Sequence, residues 1–272
     1  MADTISHRRA TLVSVGLSLL ILMSVALQGQ GRAGQPRAPN LSPRALAPLD
    51  LTGYWVSVVT EDWRYRMVMP LKGDYGSVPL NSEGRRAADA WRPEQAGGCE
   101  GYGAGAGMRA PGRLHITWED DSTLRIDTDA GQQTRRLYLG PRPQGEAARS
   151  WQGSSVASWD GPPDVIDVLR TGGFDGLSRG SGAAARRLAW TPLKVVTTNL
   201  RAGWLRANGV PYSAQAVVTE HFMRYTVPDG GEWLTVRTIV DDPTYLVQPF
   251  MVSTNFKQEP DGSKWNPRLC RE

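Results

Sequence analysis

From Gly53 onward the chain alternates in chemistry with a period of two, segment after segment. Tyr54, Val56 and Val58 alternate with Trp55, Ser57 and Val59. Leu114, Ile116 and Trp118 alternate with His115, Thr117 and Glu119, and Leu124, Ile126 and Thr128 with Arg125, Asp127 and Asp129. Successive side chains of an extended strand point to opposite faces, so this pattern predicts half-buried antiparallel strands. It continues through residues 134–139, 151–159, 193–199, 215–227, 233–240 and 246–257. Pro228-Asp-Gly-Gly231 reads as the hairpin turn between two long strands.

A chain dominated by strands must hide their edges, and a closed sheet or a double sheet does so. The expected fold is therefore mostly β, an antiparallel lipocalin-like barrel or a closed sandwich. One short N-terminal helix is expected. Asn81 or Ser82 caps it, Glu83 sits in its first turn, and Ala87 and Trp91 share a face. Residues 97–112 are glycine-dense and read as a mobile loop. Residues 162–192 lack a period and read as a long Gly/Ala/Arg-rich surface insertion.

The N-terminus has a different character. Residues 10–27 form an uncharged apolar run directly after His7-Arg8-Arg9. A basic segment, an apolar segment and a small-residue exit mark an export signal. The run is also long enough to cross a bilayer, so residues 1–27 are read as a signal peptide or an N-terminal anchor. Residues 28–48, rich in Gly, Pro, Gln and Arg, read as a flexible tether. Residues 49–272 form the single β-rich domain, expected in the periplasm or secreted, with any membrane attachment through the N-terminal segment alone.

The formal charge is +4, yet only four of the 31 basic residues are lysine and the arginines are scattered. A phosphate-binding stripe would cluster them, so no nucleic-acid partner is expected. Two cysteines, Cys99 and Cys270, lie in a chain read as exported, where an even pair is most simply a disulfide. Closing a loop of that length stabilises by about 4–5 kcal/mol, less any native strain.

Several segments together resemble a family of exported bacterial β-rich proteins that has no assigned activity. Gly153-x-Ser155-x-x-x-Trp159-x-Gly161 leads into Leu193-x-Val195-x-Thr197-x-Asn199. Gly209-x-Pro211-x-Ser213, Thr219-Glu-x-Phe222 and Asp241-Asp-Pro243 follow, and Cys99, the glycine-rich loop and Met108 fit the first half. The resemblance covers roughly residues 50 to 268. It supports the single-domain reading and implies no mechanism.

Catalytic equipment is sparse. Beyond the leader the histidines are His115 and His221. His115 falls on the polar face of its strand. His221 shares a face with Val217, Met223 and Tyr225, which predicts that it points into the barrel with Glu220 and Arg224 outside. His115, Glu119, Asp127 and Asp129 fall together on one hairpin, but a charge ladder on a solvated face gives the same letters, so no metal site is expected. Gly101–Gly107 lacks the Lys-Ser/Thr ending of a phosphate loop. Ten tryptophans exceed what one barrel's packing needs, and Trp55, Trp118 and Met223 are the expected lining of an interior cavity. The expected function is binding of a small, largely apolar ligand inside the barrel, without a cofactor. The alternative is a cofactor-independent lyase, isomerase or hydrolase using His221 as acid or base and Tyr225 as a hydrogen-bond donor.

Overall fold

The computed structural model describes residues 41–141, 148–161 and 191–271. The strands are β1 (Gly53–Val58), β2 (Arg113–Trp118), β3 (Thr123–Thr128), β4 (Ala130–Gly131), β5 (Thr134–Tyr138), β6 (Ser154–Trp159) and β7 (Leu193–Thr198). They continue as β8 (Gly203–Arg206), β9 (Val210–Tyr212), β10 (Val217–Thr226), β11 (Glu232–Asp241), β12 (Phe250–Glu259) and β13 (Arg268–Leu269). Nine of them close into a barrel in the order β1-β12-β11-β10-β7-β6-β5-β3-β2, with β2 pairing back onto β1. The predicted strands are recovered to within a few residues, and the turn at Pro228–Gly231 joins β10 to β11.

The expectation of a wholly antiparallel barrel needs one correction. A ring with an odd number of strands cannot alternate in direction all the way round. The mismatch falls between β5 and β6, which run parallel through Leu137↔Ser155 and Tyr138↔Val156. The other eight joins are antiparallel.

The core consists of two apolar clusters, one inside the barrel and one where barrel strands meet the segments outside it, with polar residues between them. One cluster contains Trp55, Ile116, Ile126, Leu137, Leu193, Phe222, Leu234 and Phe256. The other, at one end, contains Tyr75, Leu205, Tyr212, Val218, Val240 and Phe250. On β10 the boundary is visible residue by residue, because Val218 belongs to the second cluster, Phe222 to the first, and fully buried Glu220 lies between. Arg135 from β5 meets that carboxylate and also donates to Thr197 Oγ1 (2.7 Å) and Ser155 Oγ (3.1 Å), which bond each other at 2.8 Å. Ser155, Thr197 and Glu220 are polar letters of three separate motifs in the family-like pattern. Two further motifs interlock in the same way, since buried Asp242 accepts from Ser213 N (2.6 Å) and Ser213 Oγ (2.7 Å).

A cap covers the end of the barrel that carries the second cluster. Its helix, Ser82–Ala90, is capped by Asn81 Oδ1 accepting from Gly84 N at 2.8 Å. Ala88 rather than Ala87 is the fully covered alanine, and Trp91 has already left the helix with extended backbone. A one-turn helix, Trp63–Arg66, had no sequence signal of its own. The hairpin β8–β9 was likewise not anticipated.

Residues 97–112 are no mobile loop. They form two short 3-10 turns, with Cys99, Ala104, Ala106 and Met108 buried. The glycines are needed for close approach: a Cβ on Gly103 would lie 2.2 Å from the Tyr212 hydroxyl, and one on Gly105 3.0 Å from its ring. Cys99 and Cys270 are bonded, with Cα atoms 5.0 Å apart. The C-terminal stretch is held further by β13 pairing with β4 and by Cys99 N donating to Arg271 O. The leader, residues 28–40 of the tether and residues 162–190 of the insertion lie outside the described residues. The chain is already tied to the barrel at Arg44, whose N–H donates to Asp121 O.

Candidate functional site

A cleft of about 190 Å³ opens in the cap. Three parts of the chain build it: the segment with Tyr65 and Arg66, the glycine-rich turns with Tyr102 and Arg109, and the β8–β9 hairpin with Trp204 and Arg206. The hairpin is fixed to the first segment by Asn208, whose side-chain amide donates to Leu71 O and Asp74 O, both at 3.0 Å.

Three arginines in the wall have side chains or whole residues 5% exposed or less. Burying a guanidinium is tolerated where carboxylates and hydrogen bonds replace water. Arg66 meets that demand, pairing with Glu61 at 2.5 Å and donating to Ser57 Oγ and Arg109 O. Arg109 meets it in part, pairing with Asp62 at 3.1 Å while its Nη2 has no partner. Arg206 has no carboxylate in ion-pair distance among the described residues. It donates to Gly76 O (2.6 Å) and Ser77 Oγ (3.3 Å), lies 3.8 Å above the Tyr65 ring, and leaves Nε unpartnered.

The electrostatics agree with this geometry. Burial, and next the neighbouring charge of Arg109, hold the Arg206 guanidinium below the ordinary arginine value. Arg66 is lowered by burial as well, opposed by Glu61 and reinforced by Arg109. Arginine stays charged at these values, so the direction reports chiefly the cost of burying each charge, with the neighbouring Arg109 adding to it. Trp204 Nε1 adds a third buried N–H without a partner on the same wall. Among the residues that line the cleft, the unpaired buried side-chain atoms are thus donors, while behind the hairpin Asn208 Oδ1 is an acceptor without a partner.

The residues singled out from sequence fall elsewhere. The strand phase of β10 is opposite to expectation: Glu220 and Phe222 point inward, whereas His221, Met223 and Tyr225 lie on the outer face. His221 is buried there against neighbouring strands, with Nε2 3.5 Å from Asp160 Oδ2 and Nδ1 3.4 Å from Arg237 Nη2. Burial and the Arg237 charge lower its pKa, with Asp160 opposing. Tyr225 accepts from Thr235 Oγ1 at 3.4 Å and borders a separate rim cleft with Arg224 and Glu232, which does not include His221. Trp55 is a core residue whose Nε1 donates to Leu51 O at 3.0 Å. Trp118 packs, half-buried, against the same core, and Met223 lies across the sheet from both. These three line no common cavity.

His115 stacks on Tyr54 with centroids 4.0 Å apart. Glu119 pairs with Arg136 and Asp127 with Arg125, both at 2.8 Å, while Asp129 accepts from Arg113 N at 2.6 Å. Among the described residues, no group of three or more His, Cys, Asp or Glu is arranged to hold a metal ion. The arginine cleft was missed because its residues stand at 66, 109 and 206, and only the fold brings them together. Comparison with known proteins finds no matching family model, no similar curated protein and no matching solved structure.

Proposed function

We propose that the protein is an exported, non-enzymatic binding protein whose ligand is a small anion seated in the arginine cleft of the cap. The observation that carries this reading is the set of three unpartnered N–H groups, on Arg109, Arg206 and Trp204, around one cleft. Buried donors without partners are costly, and a carboxylate or phosphate group supplies both the acceptors and the charge. Tyr65, Tyr102 and Trp204 add an apolar wall, so the ligand carries an aromatic or aliphatic part as well. The volume suits a small acid or one head group.

This moves the ligand from the barrel interior, where an apolar molecule was expected, to its capped end. Side chains exposed by 1% or less fill the interior, from Trp55 through Phe222 to Phe256. The enzyme reading built on His221 and Tyr225 loses its common cavity and is not taken further.

Titration of the full chain against a panel of aryl and alkyl carboxylates and phosphates, with their neutral amides and alcohols, tests the proposal. Tryptophan fluorescence and calorimetry should show saturable binding of the anions alone. Arg206→Gln should weaken it by about ten- to a hundredfold, the scale of one or two charge-assisted hydrogen bonds. Equal binding of a neutral isostere, or an unchanged affinity in Arg206→Gln, would overturn it.

A further inference from the structure

Ten large apolar residues are exposed among the described residues, and five of them fall in one stretch of nine. Trp63, Met67, Val68, Met69 and Leu71 are each between 50% and 81% exposed. Scattered apolar residues on a surface need no explanation, but a contiguous group does.

Their exposure is imposed by the fold rather than by a loose chain. Arg64 pairs with Asp74 at 2.5 Å, Arg66 is anchored in the cap, and Asn208 holds Leu71 O. Tyr65 lies under the Arg206 guanidinium. Tyr65 and Arg66 therefore turn inward, and the apolar residues of the segment are held outward.

Within the stretch itself the charges are cationic, and the nearest acid beyond it, Asp74, is paired with Arg64. No acidic residue occurs between Trp63 and Lys72, while Arg64 and Lys72 are exposed at its edges. The preceding acids, Glu61 and Asp62, are engaged by Arg66 and Arg109. Tryptophan with methionine and leucine, rimmed by cations, is the composition of a surface that lies in a bilayer interface above anionic head groups. The same chain carries the apolar run at residues 10–27, which its sequence reads as a signal or anchor, so its route brings the domain to a membrane.

We propose that residues 63–72 dock the domain onto an anionic lipid bilayer, with Trp63, Met67 and Leu71 entering the interface. This proposal stands independently of the anion cleft, although Tyr65 and Arg66 join the two and docking would bring the cleft close to the head groups.

Bromolipid quenching of the full chain tests it, because residues 1–50 contain no tryptophan and cannot contribute. Vesicles of phosphatidylcholine with phosphatidylglycerol, carrying brominated acyl chains, should quench part of the emission. Trp63→Phe should abolish that part, and the double variant Met67→Ser/Leu71→Ser should reduce it by about half or more while near-ultraviolet circular dichroism stays native. Omitting phosphatidylglycerol, or raising the salt, should weaken it. The same quenching in Trp63→Phe, none at all in vesicle-bound protein, or no dependence on phosphatidylglycerol would overturn the proposal. Self-association that Leu71→Ser abolishes, with Trp63 unquenched, would assign the patch to a protein interface instead.

Discussion

The barrel interior and the cap settle their buried donors in different ways. Inside the barrel, Trp55 is fully buried and its indole N–H is satisfied by Leu51 O, and the Arg135 charge is met by Glu220. In the cap, Trp204 is partly buried and its indole N–H has no partner, and Arg206 has no carboxylate. Both regions bury aromatics beside guanidinium groups and both leave atoms unpartnered, but in the barrel the donor Arg135 Nη1 is matched by an open acceptor, Glu220 Oε1, whereas the cleft residues Arg109, Trp204 and Arg206 leave donors alone. The lesson is that aromatic and cationic content does not separate scaffold from site, whereas the balance of donors against acceptors does.

The largest expected effect would show whether the cap is a part with its own stability. Cys99→Ser/Cys270→Ser should lower stability by about 4–5 kcal/mol at most, since the bond closes a long loop in the unfolded chain. Limited proteolysis should then cut first within residues 97–112, with anion affinity reduced and the far-ultraviolet β signal retained. Simultaneous loss of barrel and cap would remove the distinction between them.

Trp55→Ala should cost about 3–5 kcal/mol by denaturant unfolding, as expected for a large side chain removed from a filled core. Affinity in the cap should not change. A small cost would mean that the interior has room, and the contrast with the cap would weaken. At a similar scale, Glu220→Gln should destabilise by about 3 kcal/mol, because it leaves Arg135 buried and unpaired. Arg135→Met/Glu220→Leu should recover most of that, and an uncompensated double variant would show that the polar layer does more than neutralise itself.

The smallest effect concerns His221. Its folded pKa lies below the ordinary value of 6.5, so the unfolded chain binds the proton more readily. The stability contributed by its neutral form is complete above about pH 6.5 and falls as pH drops towards the folded value. His221→Gln should flatten the slope of unfolding free energy between about pH 7 and 5. Anion binding should be indifferent to that substitution, since His221 is not part of the cleft.

How much of this was legible in the sequence depended on whether the signal was local. Alternation gave the strands, and the pair of cysteines gave the disulfide. The phase of β10 was misread because Val217, Met223 and Tyr225 outweigh Val218 and Phe222 in apolar count. A charged residue inside a barrel is allowed only when its partner faces it, and Arg135 lies far from Glu220 along the chain. The Asn208-Gly209 turn of the second hairpin was a readable local signal, and Gly209 indeed has φ +82°. The cleft had no local signal, since unpaired donors become visible only once every other bond has been counted.

The odd number of strands has one more consequence, for the order of events. Hairpins can add to a growing sheet one after another, each new strand lying beside its predecessor in sequence. The parallel join between β5 and β6 cannot form that way, and it is also short, with two residue pairs against ten between β10 and β11. Arg135 reaches across it to Ser155 and Thr197, fastening from within what the backbone holds weakly. By its length this join is the weakest of the ring, and it should be the first to breathe. Amide protons along β5 and β6 should exchange with solvent ahead of those in the long hairpins.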